Sequence, residues 1–144
     1  HRTYLTKQGQ KAPVPEAKKL MKGLGVSGGA IRLYPAGKVL AVAEGIETAL
    51  AVHCLTGYPT WATVSATLMQ KLEVPEYVEH LLIFADNDEP DHLGRRAGQE
   101  AAGILKQRLE EKGIKVTVVL PSKVGTDFAD VWIERITNGQ KLAA

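Results

Sequence analysis

The chain has 144 residues, 44% of them hydrophobic and 24% charged, which suffices for one main core and excludes the low-hydrophobicity compositions that stay disordered. A net charge of +2 is too small to establish nucleic-acid binding by itself, and a single cysteine, Cys54, excludes an internal disulfide or a cysteine-built zinc site. No apolar run approaches the roughly 18 residues of a membrane span, and the cysteine usage suits a reducing compartment, so the expectation is a soluble, cytoplasmic protein with no membrane partner.

In chain order, Arg2-Thr3-Tyr4-Leu5-Thr6 alternates polar and apolar residues and predicts a short strand, followed by a turn at Lys7–Gln10. Pro13 and Pro15 interrupt, Glu16–Lys22 reads as a basic helical or loop segment, and several glycines lead into a second alternating strand, Ala30–Tyr34. Residues 1–37 are therefore expected to form a small antiparallel appendage, with 38–144 as the main domain. The start at His1, without methionine and without a signal-peptide layout, suggests a piece of something longer.

From Lys38 the pattern changes to short, continuous apolar runs at Val39–Ala43, Thr60–Val64, His80–Ala85 and Lys115–Leu120. Helical stretches separate them at Ile46–Leu55, Ala66–Leu72 and Gly94–Lys112, and a last helix is predicted from Phe128 to about Thr137. This alternation predicts an α/β fold, with a buried, mostly parallel sheet of about four strands flanked by helices. Cys54, inside the first apolar helical pattern, is expected to be buried.

Acidic residues follow three of these strands, where a parallel sheet places its function. Glu44-Gly45 leaves the first, with Glu47 one turn on; Asp86-Asn87-Asp88 leaves the third; and Asp127 and Asp130 follow the fourth. Residues two apart in extended chain point to the same side, so Asp86 and Asp88 can face one cation, and hard carboxylate oxygens suit Mg²⁺. Glu47 can equally serve the positive end of its helix, and Asp127 can serve as an N-cap. An EF-hand beginning at Asp86 fails, because its sixth and twelfth positions hold Asp91 and Ala97. The GxGxxG string at Gly23–Gly28 precedes a strand instead of following one, and reads as a loop.

Taken in order, Glu44-Gly45, Asp86-Asn87-Asp88 and the Asp127–Asp130 turn resemble the Toprim family of primases, topoisomerases and nucleases, over roughly Lys38–Trp132. The stretch Glu44–Leu50, the leader and the alanine-rich helix after Gly94 look most like primases and primase-helicases of phages, plasmids and integrated elements. The resemblance implies a Rossmann-like Toprim domain at 38–144, preceded by the end of a primase subdomain. It also implies Mg-dependent nucleotidyl transfer, with Mn²⁺ able to substitute. Glu44, Asp86 and Asp88 would be catalytic, with Asp127 and Asp130 as further ligands and Gly45, Glu47 and Asn87 in support. Thr48 stands where replicative primases usually carry aspartate, and Thr126 where many carry lysine.

The implied partners are a single-stranded DNA template and nucleotides, with a helicase and a zinc-binding segment elsewhere in the full-length protein. Candidate phosphate contacts are Arg95, Arg96, Lys18 and Lys19, then Lys22 and Arg32, while His92 reads as a surface residue. Two alternatives stay open: a Toprim metal-dependent nuclease using the same acids, and a catalytically silent Toprim module that binds nucleic acid or partner domains. A phosphatase built on Asp-x-Asp is weaker, since Glu89-Pro90 follows Asp88 and Glu44-Gly45 would have no role.

Overall fold

A computed structural model describes residues 2–8, 12–19 and 26–139. His1, the turn at Gly9-Gln10, Lys22 and the first part of the glycine string lie outside the described residues.

Eleven elements are described: β1 (Arg2–Thr3), β2 (Lys18–Lys19), β3 (Ile31–Arg32), β4 (Val39–Ala43), α1 (Ile46–Thr56), β5 (Thr60–Ala62), α2 (Ala66–Gln70), β6 (His80–Phe84), α3 (Ala97–Glu110), β7 (Lys115–Val119) and α4 (Phe128–Thr137). The main sheet has the order β3-β5-β4-β6-β7. Strands β4 to β7 are parallel, and β3 pairs antiparallel with β5 at one edge. The central strands are apolar along both faces because helices cover both: Leu40, Ala41, Val42 and Ala43 are all fully buried.

Alternation along β4 divides this core. Leu40 and Val42 join Leu81, Ile83 and the α2–α3 residues Met69, Leu105 and Leu109 on one face. Ala41 and Ala43 join Ala49 and Val52 of α1 and Phe128 of α4 on the other. There Phe84 and Phe128 meet edge to face, with centroids 4.9 Å apart. Truncating Leu81 or Leu105 to alanine would cost about 2–5 kcal/mol, the usual range for a buried leucine.

The division also opens a crevice at one edge of the sheet. β4 and β6 are neighbours with Ala43 level with Phe84. The helix that follows β4 packs on one face of the sheet, and the helix that follows β6 packs on the opposite face. Adjacent strands whose helices part in this way leave a crevice at their carboxyl ends, the ligand position in open α/β sheets. Glu44 and Asp86 emerge at that crevice.

The structure changes several expectations. The sheet has five strands, not about four: Ile31–Arg32, assigned on sequence to the appendage, hydrogen-bonds along β5 instead. The expected basic helix or loop at 16–22 contains strand β2, antiparallel to β1. Helix α3 starts at Ala97, later than Gly94, because Gly94 adopts a left-handed φ of 77° and the Asp91 carboxylate holds the preceding turn by accepting from the backbone of Leu93 and Arg95. Cys54 is exposed, not buried. Helix α1 buries Thr48, Ala49, Ala51 and Val52, and two residues beyond Val52 a helix has turned about 200° away from that face.

Candidate functional site

Three loops at the carboxyl edge carry the acids. In the first, Glu44 is half-buried directly after β4, and Gly45 is the N-cap of α1. A side chain on Gly45 would crowd Thr48 Oγ1, 3.3 Å from the position its Cβ would take, and the Glu47 carboxylate, at 3.6 Å. Glu47 is thus folded over the turn at the positive end of α1. The Glu44 carbonyl accepts from the backbone N–H of Val64, at 2.8 Å. Val64 has a φ of 73°, the one non-glycine residue in the left-handed region among the described residues. For a β-branched residue this conformation is strained by about 1–3 kcal/mol, and it persists only where its surroundings impose it.

The second loop carries Asp86 and Asp88, with Asp86 half-buried and Asp88 exposed. A Cβ on Gly98, in the first turn of α3, would sit 3.9 Å from Asp88 Oδ2 and 4.0 Å from Glu44 Oε2. Carboxylates from two neighbouring strand ends therefore converge on one side-chain-free spot. Between the two aspartates, Asn87 donates its backbone N–H to Thr126 and accepts from Gly125, which ties this loop to the third.

In the third loop Asp127 and Asp130 form a capping box. The N–H of Asp130 donates to Asp127 Oδ1 at 3.0 Å, and the N–H of Asp127 donates to Asp130 Oδ2 at 3.1 Å. The Thr48 hydroxyl, almost fully buried, donates to Asp127 Oδ2 at 3.1 Å. Thr48, and Gln99 whose Nε2 donates to Asn87 Oδ1 at 3.2 Å, were not among the sequence candidates. Thr48 carried a signal as the residue one turn beyond Gly45, whereas Gln99 acquires its contact only from the tertiary fold.

The structure thus brings Glu44 to Asp88 across Gly98, and Asp127 to Asp130 and Thr48. Among the described residues it does not gather three or more His, Cys, Asp or Glu side chains into one ligand group, so the five acids are not a single closed cage. The donor set still fits a hard divalent cation: it is all carboxylate oxygen, and Mg²⁺ takes one or two carboxylates and keeps several waters.

The cationic candidates separate. Arg95 is engaged with Asp91, Nε and Nη2 both approaching Oδ2, at 3.1 and 3.0 Å. The same turn, led by the Arg95 backbone N–H, holds the Asp91 carboxyl below its ordinary range. Arg96 is the half-buried N-cap residue of α3, and its Nε is buried without a hydrogen-bond partner among the described residues. Lys18 and Lys19 lie on β2, in the two-stranded sheet and not in the sheet that carries the acids, and Lys19 pairs with Glu16 at 3.4 Å. Arg32 lies over the Trp61 ring at 4.8 Å, and His92 is exposed. A surface groove lined by Lys123, Thr126, Asp130 and Glu134 runs along α4 and includes neither Glu44, Asp86 nor Asp88.

A doubly wound sheet with acids on three loops at its carboxyl edge defines an α/β protein. A profile of the Toprim domain matches residues 39–137, and the chain belongs to the Toprim family. The fold is similar to a crystal structure of a DNA primase domain from Pseudomonas aeruginosa, with a TM-score of 0.55 and 17% identity over 94% of this chain and 49% of that one. This chain therefore spans about half of that structure's chain. No curated protein matches the sequence. No described helix is long and apolar enough to cross a membrane.

Proposed function

We propose that this chain is the catalytic core of a DNA primase, a nucleotidyltransferase that joins nucleotides on a single-stranded DNA template. The observation that carries this reading is the convergence of the Glu44 and Asp88 carboxylates across Gly98, beside Asp86, at the crevice between two parallel strands. Asp86 and Asp88 would hold Mg²⁺, or Mn²⁺ in its place, with Asp127 adding an oxygen at the rim and Asp130 serving Asp127 as its cap. When bound, the cation neutralises nucleotide phosphates and stabilises the charge that develops during transfer. Glu44 completes the ligand set or accepts the proton of the attacking 3′-hydroxyl, a role suited to a half-buried carboxylate. Arg96 is the better placed of the two arginines to take a phosphate, since Arg95 is held by Asp91.

In this reading residues 38–144 are the catalytic domain, strand β3 is lent to its sheet by the preceding subdomain, and Lys18 and Lys19 contact the template. A zinc-binding segment and a helicase accompany it in a cytoplasmic replication protein of a phage, plasmid or integrated element. The test is incubation with single-stranded DNA, labelled nucleotides and Mn²⁺. Labelled products that lengthen, and that disappear in Asp88→Asn, are the expected result. Shortened template without extension would replace the reading with a nuclease, and neither outcome would leave a non-catalytic Toprim module.

A further inference from the structure

Asn87 is placed between the two aspartates but is directed elsewhere. Its Nδ2 donates to the Pro121 carbonyl at 2.9 Å, and its Oδ1 accepts from Gln99 Nε2 at 3.2 Å. The backbone around it is fixed as well: its N–H donates to Thr126 O at 3.1 Å, and its carbonyl accepts from Gly125 N at 2.7 Å. One residue thus binds the Asp86–Asp88 loop to the Asp127 loop on one side and to α3 on the other.

The polarity of this relay is forced. The Pro121 carbonyl can only accept, so the amide NH₂ must face it, and Oδ1 must then face residue 99, where only a donor satisfies it. The relay fixes the loop between the two carboxylates without adding charge.

We propose that Asn87 and Gln99 are positioning residues for a divalent cation held by Asp86 and Asp88, an inference that rests on the ligand reading given above. Groups that orient metal ligands in this way typically change metal affinity by about tenfold or more when removed. The test compares Mn²⁺ binding, read from the electron paramagnetic resonance signal of free Mn²⁺, with metal-free thermal melting. The proteins are wild type, Gln99→Met, Asn87→Ala, the double variant and Asp88→Asn. The expected result is that Gln99→Met binds Mn²⁺ about tenfold more weakly while its metal-free melting is unchanged. The double variant should be no weaker than Asn87→Ala, because the relay is already cut. Gln99→Met with wild-type affinity, or a double variant showing the product of two separate losses, overturns the relay. Binding that survives Asp88→Asn, or is absent from folded wild type, overturns the ligand reading and the relay with it. Binding lost in Asp88→Asn but kept in Gln99→Met overturns the relay alone.

Discussion

The two ends of the sheet solve opposite problems. At the amino edge, where β4, β6 and β7 begin, groups of both signs meet: Lys38 pairs with Glu79 at 2.7 Å, and the His80 ring meets the Thr117 hydroxyl at 2.9 Å with the Lys115 charge near it. At the carboxyl edge the same strands end in Glu44, Asp86 and the loop to Asp127, and like charges are brought together. There the Thr48 hydroxyl and the Asp130 N–H donate to the Asp127 carboxylate, and the Asn87 amide donates to the Pro121 carbonyl. The amino edge mixes charges of both signs, whereas the carboxyl edge gathers acids and ties their loops together with neutral groups.

The contrast can be broken from either side. The largest effect is expected for Asp88→Asn, which should lower primer extension by about a hundredfold or more while leaving the melting temperature intact or raised, because it relieves repulsion. Extension assays beside differential scanning fluorimetry check both halves. Gly98→Ala should separate the two properties further. The added methyl meets the carboxylate oxygens only at ordinary contact distance, so the helix should gain about 0.5–1 kcal/mol, yet Mn²⁺ affinity should fall as water and cation lose room. Isothermal titration and urea unfolding would show whether they move in opposite directions.

Thr48→Val should cost about 1 kcal/mol in urea unfolding through the lost bond to Asp127, with Thr48→Ser restoring most of it. At the amino edge, burial and then the charge of Lys115 push the His80 imidazole below its ordinary pKa of 6.5. A group whose pKa is lower when folded contributes stability above its unfolded value and loses it on acidification. Stability should therefore decline as pH falls from about 6.5 toward the lower folded value, and His80→Gln should flatten that part of the profile. Lys38→Met, removing one half of an exposed ion pair, should leave the unfolding midpoint unchanged.

The parallel strands were legible in the sequence because burial on both faces writes itself as continuous apolar runs: Val39–Ala43 was read with its observed ends, and the His80 and Lys115 runs were one residue long at the end. What escaped depends on partners far along the chain. Ile31–Arg32 alternates like any exposed strand, and only its pairing with Trp61–Ala62 makes it part of the main sheet. Lys18–Lys19 has no strand signal at all without β1 opposite. At the site, the acids announced themselves by position after strands, and the Asp127–Asp130 pair is local to one helix start, while the approach of Glu44 to Asp88 beside Gly98 depends on residues far apart in the chain. The capping function of Asp127 was visible in sequence, but its bond to Thr48 joins residues 79 apart.

Val64 has a further consequence. Its N–H fixes the Glu44 carbonyl through a backbone shape that a β-branched residue resists, so the turn stays put only while β4 and β5 remain zipped. Unzipping releases strain, which makes the end of β5 a low-cost place for the molecule to open, and the Val64 amide should exchange with solvent earlier than the amides inside β4. A glycine there would stabilise the resting turn but leave it several conformations to choose from, so the same change that quiets the backbone would blur the aim of Glu44.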